Sequence, residues 1–258
     1  MCLIVFSWDE DQPALRLVAN RDEFHARPSS PLGFWADAPE ILAGRDLTAG
    51  GTWLGVSQRG RFAAITNVRE PGSQLPENPR SRGHLVRDFL LSEQTAMEFC
   101  TALEPHAQEF PGFNLLVLDG KDMVYFGNRH PIQLLHSGHY GLSNAGLNSS
   151  WPKVEQSVAA LAAQPNTASL SEDVQLLSRR EAYADKLLPD TGVGLNAERL
   201  LSPPFIVSPG YGTRCTTALR WSPEAVQLLE HSYDSAGKVT TVVKESMQHV
   251  TGLSSVSP

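Results

Sequence analysis

The sequence predicts an α+β fold of four layers, with two mainly antiparallel β-sheets packed face to face and helices on their outer sides. Three observations lead there. Of 258 residues, 41% are hydrophobic and 19% charged, the balance of a chain that buries a core. Several short runs are apolar at every position, the pattern of strands covered on both faces. The elements run strands, helix, strands, helices, strands, which is not the regular strand–helix alternation of a parallel sheet. No repeat, low-complexity stretch or linker divides the chain, so residues 1–258 are expected to form one domain.

Residues 2–8 and 15–19 read as two strands of a hairpin around a polar turn at 9–13. The second ends in Asn20, Arg21, Asp22 and Glu23, a polar cluster at a strand edge. Residues 24–50 carry Pro28, Pro31 and Pro39 with few apolar runs, and are expected to be a long irregular connection. Residues 53–57 and 61–66 form a second hairpin that ends in another polar cluster, Asn67 to Glu70. After a loop at 71–83, apolar residues at helical spacing predict one helix over 83–103. Four short strands follow at 113–118, 123–126, 132–135 and 140–143, with Asp119-Gly120 and Ser137-Gly138 as turn signals. Helices are expected at 152–163, where Pro152 suits a first turn, and at 171–188. Residues 189–212 read as loop. Strands at 213–221, 225–233 and 238–244 close the fold, and the last dozen residues, small and polar, are expected to fray.

A net charge of −7 with no basic stripe argues against a nucleic-acid partner and against blanket binding to anionic membranes. No apolar run approaches the ~20 residues of a membrane span, and the N-terminal run Leu3 to Phe6 lacks the flanks of a signal peptide. Cys2, Cys100 and Cys215 cannot all pair within one chain and match no metal or redox spacing. A soluble, cytoplasmic protein with free thiols is expected, acting on a small-molecule substrate or ligand. Its oligomeric state is not indicated.

There is no P-loop and no HExxH, and the eight histidines are scattered. Gly50 to Gly55 is glycine-rich but misses GxGxxG and precedes a strand. Gly141 to Ala145 approaches a serine elbow but ends in Ala. Cys2 is different. Removal of Met1 would leave its α-amine beside its own thiol. With a reference pKa of ~7.7–8.0 that amine can take the thiol proton, so nucleophile and base occupy one residue. Other polar clusters sit at strand edges: Asn20-Arg21-Asp22, Thr66 to Arg69, Ser143-Asn144-Ala145 and Tyr211 to Arg214. An arginine beside a thiol favours thiolate, and asparagine side chains can donate to an oxyanion.

These segments resemble the NRDE family, also called Transport and Golgi organisation 2-like. The resemblance covers most of the chain. It runs from Met1-Cys2-Leu3-Ile4 and Asn20-Arg21-Asp22-Glu23 through Gly50 to Gly55, Thr66 to Arg69 and Arg80 to Gly83. It continues through Gly112 to Leu116, Leu142 to Ala145, Trp151-Pro152-Lys153-Val154 and Tyr211-Gly212-Thr213-Arg214. Cys215 stands where Ser is expected. That family in turn is similar to N-terminal-nucleophile hydrolases with an αββα sandwich, most closely the cysteine branch of bile-salt hydrolases and penicillin V acylases.

The resemblance implies Cys2 as nucleophile, Arg21 beside the thiolate and Asp22 orienting the α-amine. It implies Asn67 and Asn144 as oxyanion donors and Arg214 as a supporting residue. Arg21 and Asp22 are adjacent here, unlike that branch, which leaves Asn20 as a further candidate. Asn20, Glu23, Arg69 and Trp53 are taken as substrate-binding or supporting residues. On residue chemistry alone, Trp53 reads as core, Arg69-Glu70 as a surface ion pair, and Arg80 and Arg82 as solvated or holding their loop. The implied activity is amidase chemistry on a linear N-acyl bond through a thioester, with no metal or cofactor. The alternative is a non-catalytic protein on the same fold that binds haem or an acyl-lipid such as acyl-CoA.

Overall fold

The computed structural model describes residues 2–250; the expectation that Met1 is removed lies outside them. It contains a six-stranded and a seven-stranded sheet, antiparallel throughout. The first sheet is built from β1 (Cys2–Asp9), β2 (Ala14–Phe24), β10 (Gly138–Leu142), β11 (Tyr211–Trp221), β12 (Ala225–Tyr233) and β13 (Val239–Gln248), in the order β10-β1-β2-β11-β12-β13. The second runs in sequence order through β3 (Ser29–Phe34), β4 (Ile41–Asp46), β5 (Leu54–Ser57), β6 (Phe62–Asn67), β7 (Phe113–Leu118), β8 (Met123–Gly127) and β9 (His130–Leu135).

The alternation of side chains along a strand explains the four layers. In β1, Ile4, Phe6 and Trp8 enter the core between the sheets, where they meet Leu54, Val56, Phe62 and Leu116. Leu3 and Val5 point the other way, onto Val154 and Leu161 of α3 (Pro152–Ala163) and Val174 of α4 (Leu170–Gln175). The outer face of the second sheet packs in the same manner on α1 (Arg82–Leu91) and α2 (Ala96–Leu103), through Ile41, Ala63 and Val117 against Val86, Phe89 and Cys100. Each large side chain fully buried in this way contributes roughly 1.5–3 kcal/mol. The expected four-layer α+β fold is therefore present, and its doubly apolar strands are the ones covered on both sides.

Several local expectations are corrected. Residues 24–50 are not an irregular connection, for they carry β3 and β4. Their strand pattern is masked by Pro31 in an edge strand, by a bulge between Ser30 and Gly33, and by Gly44, whose missing side chain leaves room for a tryptophan ring. The second strand runs past residue 19 through Asn20 to Glu23, which end it as expected, because β2 is held between β1 and β11. The helix over 83–103 is two helices separated at Ser92–Thr95. The helix expected at 171–188 stops at Gln175, and the loop 189–212 holds a further helix, α5 (Leu195–Leu201). The C-terminal end does not fray through 250: Met247 is in the inter-sheet core, and Val250 N–H donates to Gln58 O at 2.8 Å. The remainder of the expected frayed segment, 251–258, lies outside the described residues. Among the described residues, no helix is long and apolar enough to cross a membrane.

Candidate active site

Cys2 opens β1 directly opposite Arg21 on β2, and Arg21 is directly opposite Cys215 on β11. Opposed residues of an antiparallel pair share a face, so the three side chains form one row on the side facing the second sheet. Asp22, the next residue of β2, faces the helices. The register also explains Arg214. It is the extra residue of a bulge between Thr213, opposite Asp22, and Cys215, opposite Arg21.

A cavity of about 400 Å³ opens at the end of this row. Cys2, Arg21, Asp22, Glu23, Trp53 and Asn67 line it, as does Arg82. Arg21 is 6% exposed. Its guanidinium lies 4.2 Å from the centre of the Trp53 ring, a cation–π contact that fixes its direction. An ideal Cβ on Gly44 would stand 2.4 Å from two Trp53 ring carbons, so a glycine there is what admits the ring. Trp53 is thus both core and cavity wall.

Asp22 is 2% exposed. Its Oδ1 accepts from Thr213 Oγ1 at 2.7 Å, and its backbone carbonyl accepts from Tyr211 Oη at 3.0 Å. Burial pushes its carboxyl above the usual range, while Lys153, the Thr213 hydrogen bond and Arg21 pull it back. Burial likewise pushes the Cys2 thiol up, with the Asp22 charge adding to the rise and Arg21 opposing it. A thiol pushed up in this way needs a base before it can attack. Glu23 Oε1 accepts from Phe24 N–H at 2.8 Å, and the neighbouring Arg27 is engaged by Asp46 at 2.6 Å.

The structure separates the other candidates. Asn67 ends β6 in the cavity wall. Asn144 is fully buried just beyond β10, where continuing the Ile4–Leu142 register would set it level with Cys2. Its Nδ2 donates to Asn67 O at 2.7 Å, and its Oδ1 meets no partner among the described residues. Asn20 faces away from the cavity: Nδ2 donates to Leu177 O and Pro204 O at 3.0 and 2.9 Å, and Oδ1 accepts from Thr216 Oγ1 at 2.6 Å. Arg69 is not in a surface pair with Glu70. It is buried against Glu198 of α5 at 2.7 Å and over the Trp151 ring at 4.6 Å. Glu70 is engaged by Arg129 instead, at 2.8 Å. Arg214 donates to His25 O at 2.8 Å and lines a second cavity with Cys215 and Glu230, separated from the first by Trp53.

Arg82 and Lys153 were not among the candidates. Arg82, expected to be solvated or to hold its loop, does hold Gly112 O at 2.9 Å but also lines the cavity. It is brought there by a close backbone approach: an ideal Cβ on Gly51 would lie 2.4 Å from the carbonyl carbon of Gly83. Lys153 is 2% exposed on the helix side. The glycines at 51 and 83 and the Trp151-Pro152-Lys153 block were the signals available for both. Among the described residues, no group of three His, Cys, Asp or Glu is placed to hold a metal ion.

A model of the Transport and Golgi organisation 2 family matches residues 1–235. The human Transport and Golgi organization protein 2 homolog is 37% identical over 246 residues, covering 85% of this chain and 88% of the relative. Among solved structures, a Caenorhabditis elegans N-acylethanolamine-hydrolyzing acid amidase ortholog aligns at 12% identity and a TM-score of 0.46, covering 86% of this chain and 93% of its own. A mutant conjugated bile acid hydrolase from Clostridium perfringens aligns at 9% identity and a TM-score of 0.45, covering 98% and 97%.

Proposed function

The chain belongs to the Transport and Golgi organisation 2 family, and from the geometry around Cys2 we propose that it is an N-terminal-cysteine amidohydrolase of the N-terminal-nucleophile type. It cleaves a linear N-acyl amide of a small molecule, as one domain over residues 1–258. The observation that carries this reading is the row of Cys2 and Arg21 at a cavity, with buried Asp22 behind it.

Met1 removal exposes the α-amine of Cys2. The amine takes the thiol proton, and the sulfur attacks the amide carbon. The oxyanion that forms is met by Asn67, and Arg21 stabilises the thiolate before attack and when it leaves the thioester. Asn144 supports this arrangement through the Asn67 carbonyl. Collapse breaks the C–N bond, and the α-ammonium gives its proton to the departing amine. Water then attacks the thioester, the α-amine takes one of its protons, and the thiol and a carboxylic acid are restored. Asp22 orients the α-amine throughout, Glu23 and Trp53 bound the substrate, and Asn20, Arg69 and Arg214 brace the strands. The three free thiols fit a reducing, cytoplasmic setting.

The test is amine release from a panel of N-acyl amides. Wild type is expected to turn over at least one and to show an acylated Cys2 on acid quench. Cys2→Ala is expected to lose both with its melting temperature unchanged. Full activity in Cys2→Ala removes the nucleophile, and an active preparation whose intact mass retains Met1 removes the α-amine as base. The alternative, a non-catalytic binder of haem or an acyl-lipid in the same cavity, predicts stoichiometric ligand binding with no turnover.

A further inference from the structure

Thr66 of β6 and Asn114 of β7 stand directly opposite each other in the second sheet. Opposed residues share a face. Here it is the inner face, where Phe62, Ala64, Leu116 and Leu118 of the same two strands enter the apolar core between the sheets. Thr66 and Asn114 are both buried, and polar groups so placed need hydrogen-bond partners. Their bonds run in one direction. Tyr125 Oη of β8 donates to Asn114 Oδ1 at 2.7 Å, which sets the direction of the Asn114 amide. Its Nδ2 then donates to Thr66 Oγ1 and to Ser143 O, each at 3.2 Å. Thr66 Oγ1 in turn donates to Ser143 O at 3.0 Å. Every side-chain donor of Asn114 and Thr66 is used, and the network ends on a single carbonyl.

That carbonyl belongs to the peptide joining Ser143 to Asn144. A peptide is planar, so holding its oxygen from two donors fixes how the chain enters Asn144. Thr66 likewise immediately precedes Asn67. The two asparagines are themselves tied: Asn144 Nδ2 donates to Asn67 O at 2.7 Å, and Arg69 N–H donates to Asn144 O at 2.7 Å. We propose that Thr66 and Asn114 are positioning residues for the oxyanion site: through the Ser143 carbonyl they lock the segment carrying Asn144 onto the end of β6, and so hold Asn67 and Asn144 in place as charge develops on the substrate oxygen. The proposal rests on the N-terminal-nucleophile reading. The neighbours of this pair along both strands are apolar, so burial alone does not call for polar side chains here. What a satisfied network adds is a unique orientation. Thr66 and the Gly112 to Leu116 block are also parts of the sequence that the catalytic assignment left without a role.

The test applies two reagents to one thiol, in the full chain at protein whose intact mass begins at Cys2. With p-nitrophenyl acetate the α-amine takes the thiol proton and the sulfur adds to the ester carbonyl. An oxyanion forms and collapses, p-nitrophenolate leaves and an acetyl thioester remains. Iodoacetamide alkylates the same sulfur by displacing iodide, with no oxyanion. Peptide mass identifies the modified cysteine in each case. In wild type both reagents modify Cys2 in preference to buried Cys100 and Cys215. In Thr66→Val acylation of Cys2 slows about tenfold, less than the roughly 10²–10³ lost when an oxyanion donor is deleted outright, while alkylation keeps its wild-type rate. Thr66→Ser, which retains the hydroxyl, restores acylation. Asn114→Leu behaves as Thr66→Val does. Tyr125→Phe, which removes only the hydroxyl that directs the Asn114 amide, lowers the ratio of acylation to alkylation in the same direction and carries the test where the other variants do not fold. An unchanged ratio in the folded variants overturns the proposal. So does an equal fall in both reactions, the mark of a general disturbance around Cys2. If wild-type Cys2 is not acylated in preference to Cys100 and Cys215, the nucleophile reading fails as well. Selective acylation that is indifferent to Thr66, Asn114 and Tyr125 removes this inference alone.

Discussion

Arg21 can stand beside Cys2 because three neighbours limit where its guanidinium goes. Ser29 Oγ accepts from it at 3.5 Å, Trp53 stacks on it at 4.2 Å, and Gly44 yields the space in which Trp53 lies. Gly44→Ala is therefore expected to push the indole off Arg21. The expected cost is about 1–3 kcal/mol, the usual range for overpacking a filled site, read by urea unfolding together with a shift in tryptophan fluorescence. Gly33→Ala in the neighbouring strand is the control, because nothing lies within 4 Å of its ideal Cβ. At this scale much was legible. A cysteine at position 2, with Arg21 and Asp22 at the end of the paired strand, is a local pattern. The direction of the Asn144 amide was not legible, because the group that orients it, the carbonyl of Asn67, is 77 residues away in the chain.

Between α1 and α2 the apolar spacing continues almost unbroken, yet the helix stops. Arg61, immediately before β6, decides this. Its guanidinium lies 4.0 Å from the centre of the Phe89 ring, Nε donates to Phe89 O at 3.0 Å, and Nη2 donates to Gln94 O. Asp119 Oδ2 accepts from Ala96 N–H at 2.7 Å, and Thr95 and Glu98 form a capping box that starts α2. Arg61→Leu is expected to remove the guanidinium from Gln94 O and one of several donors from Phe89 O, which the Ser92 N–H and hydroxyl still reach, and to lower stability by about 1–3 kcal/mol. Urea denaturation with an unchanged midpoint would show that the break is held elsewhere. Sequence periodicity reports which face of a helix is apolar, and it is blind to a cap supplied by another element. The same limit hid β4, whose Gly44 carries no side chain to show its pattern.

Across the whole molecule, the two sheets are fastened at the end remote from the Cys2 cavity. Trp221 Nε1 donates from the first sheet to Gly60 O of the second at 2.9 Å, and His249 lies 5.6 Å from the Trp221 ring. Val250 N–H reaches Gln58 O in the same turn, and Met247 fills the core beneath. Truncation after Ser246 is expected to cost roughly 3–6 kcal/mol, from one buried methionine and the hydrogen bonds that residues 248–250 make to Glu224, Pro223 and Gln58, seen as a lower urea midpoint. The order of residues alone determined the layers, the doubly covered strands, the family blocks and the identity of the nucleophile candidate. All of these are carried by alternation and short motifs within single segments. Tertiary structure decided which polar groups share the cavity. It turned Arg69, Arg214 and Asn20 toward other partners, brought Arg82 in through the contact of Gly51 with Gly83, and buried Lys153 against the carbonyl of Leu201. Those outcomes depend on register and close approach between segments far apart in the chain, and no local pattern encodes them.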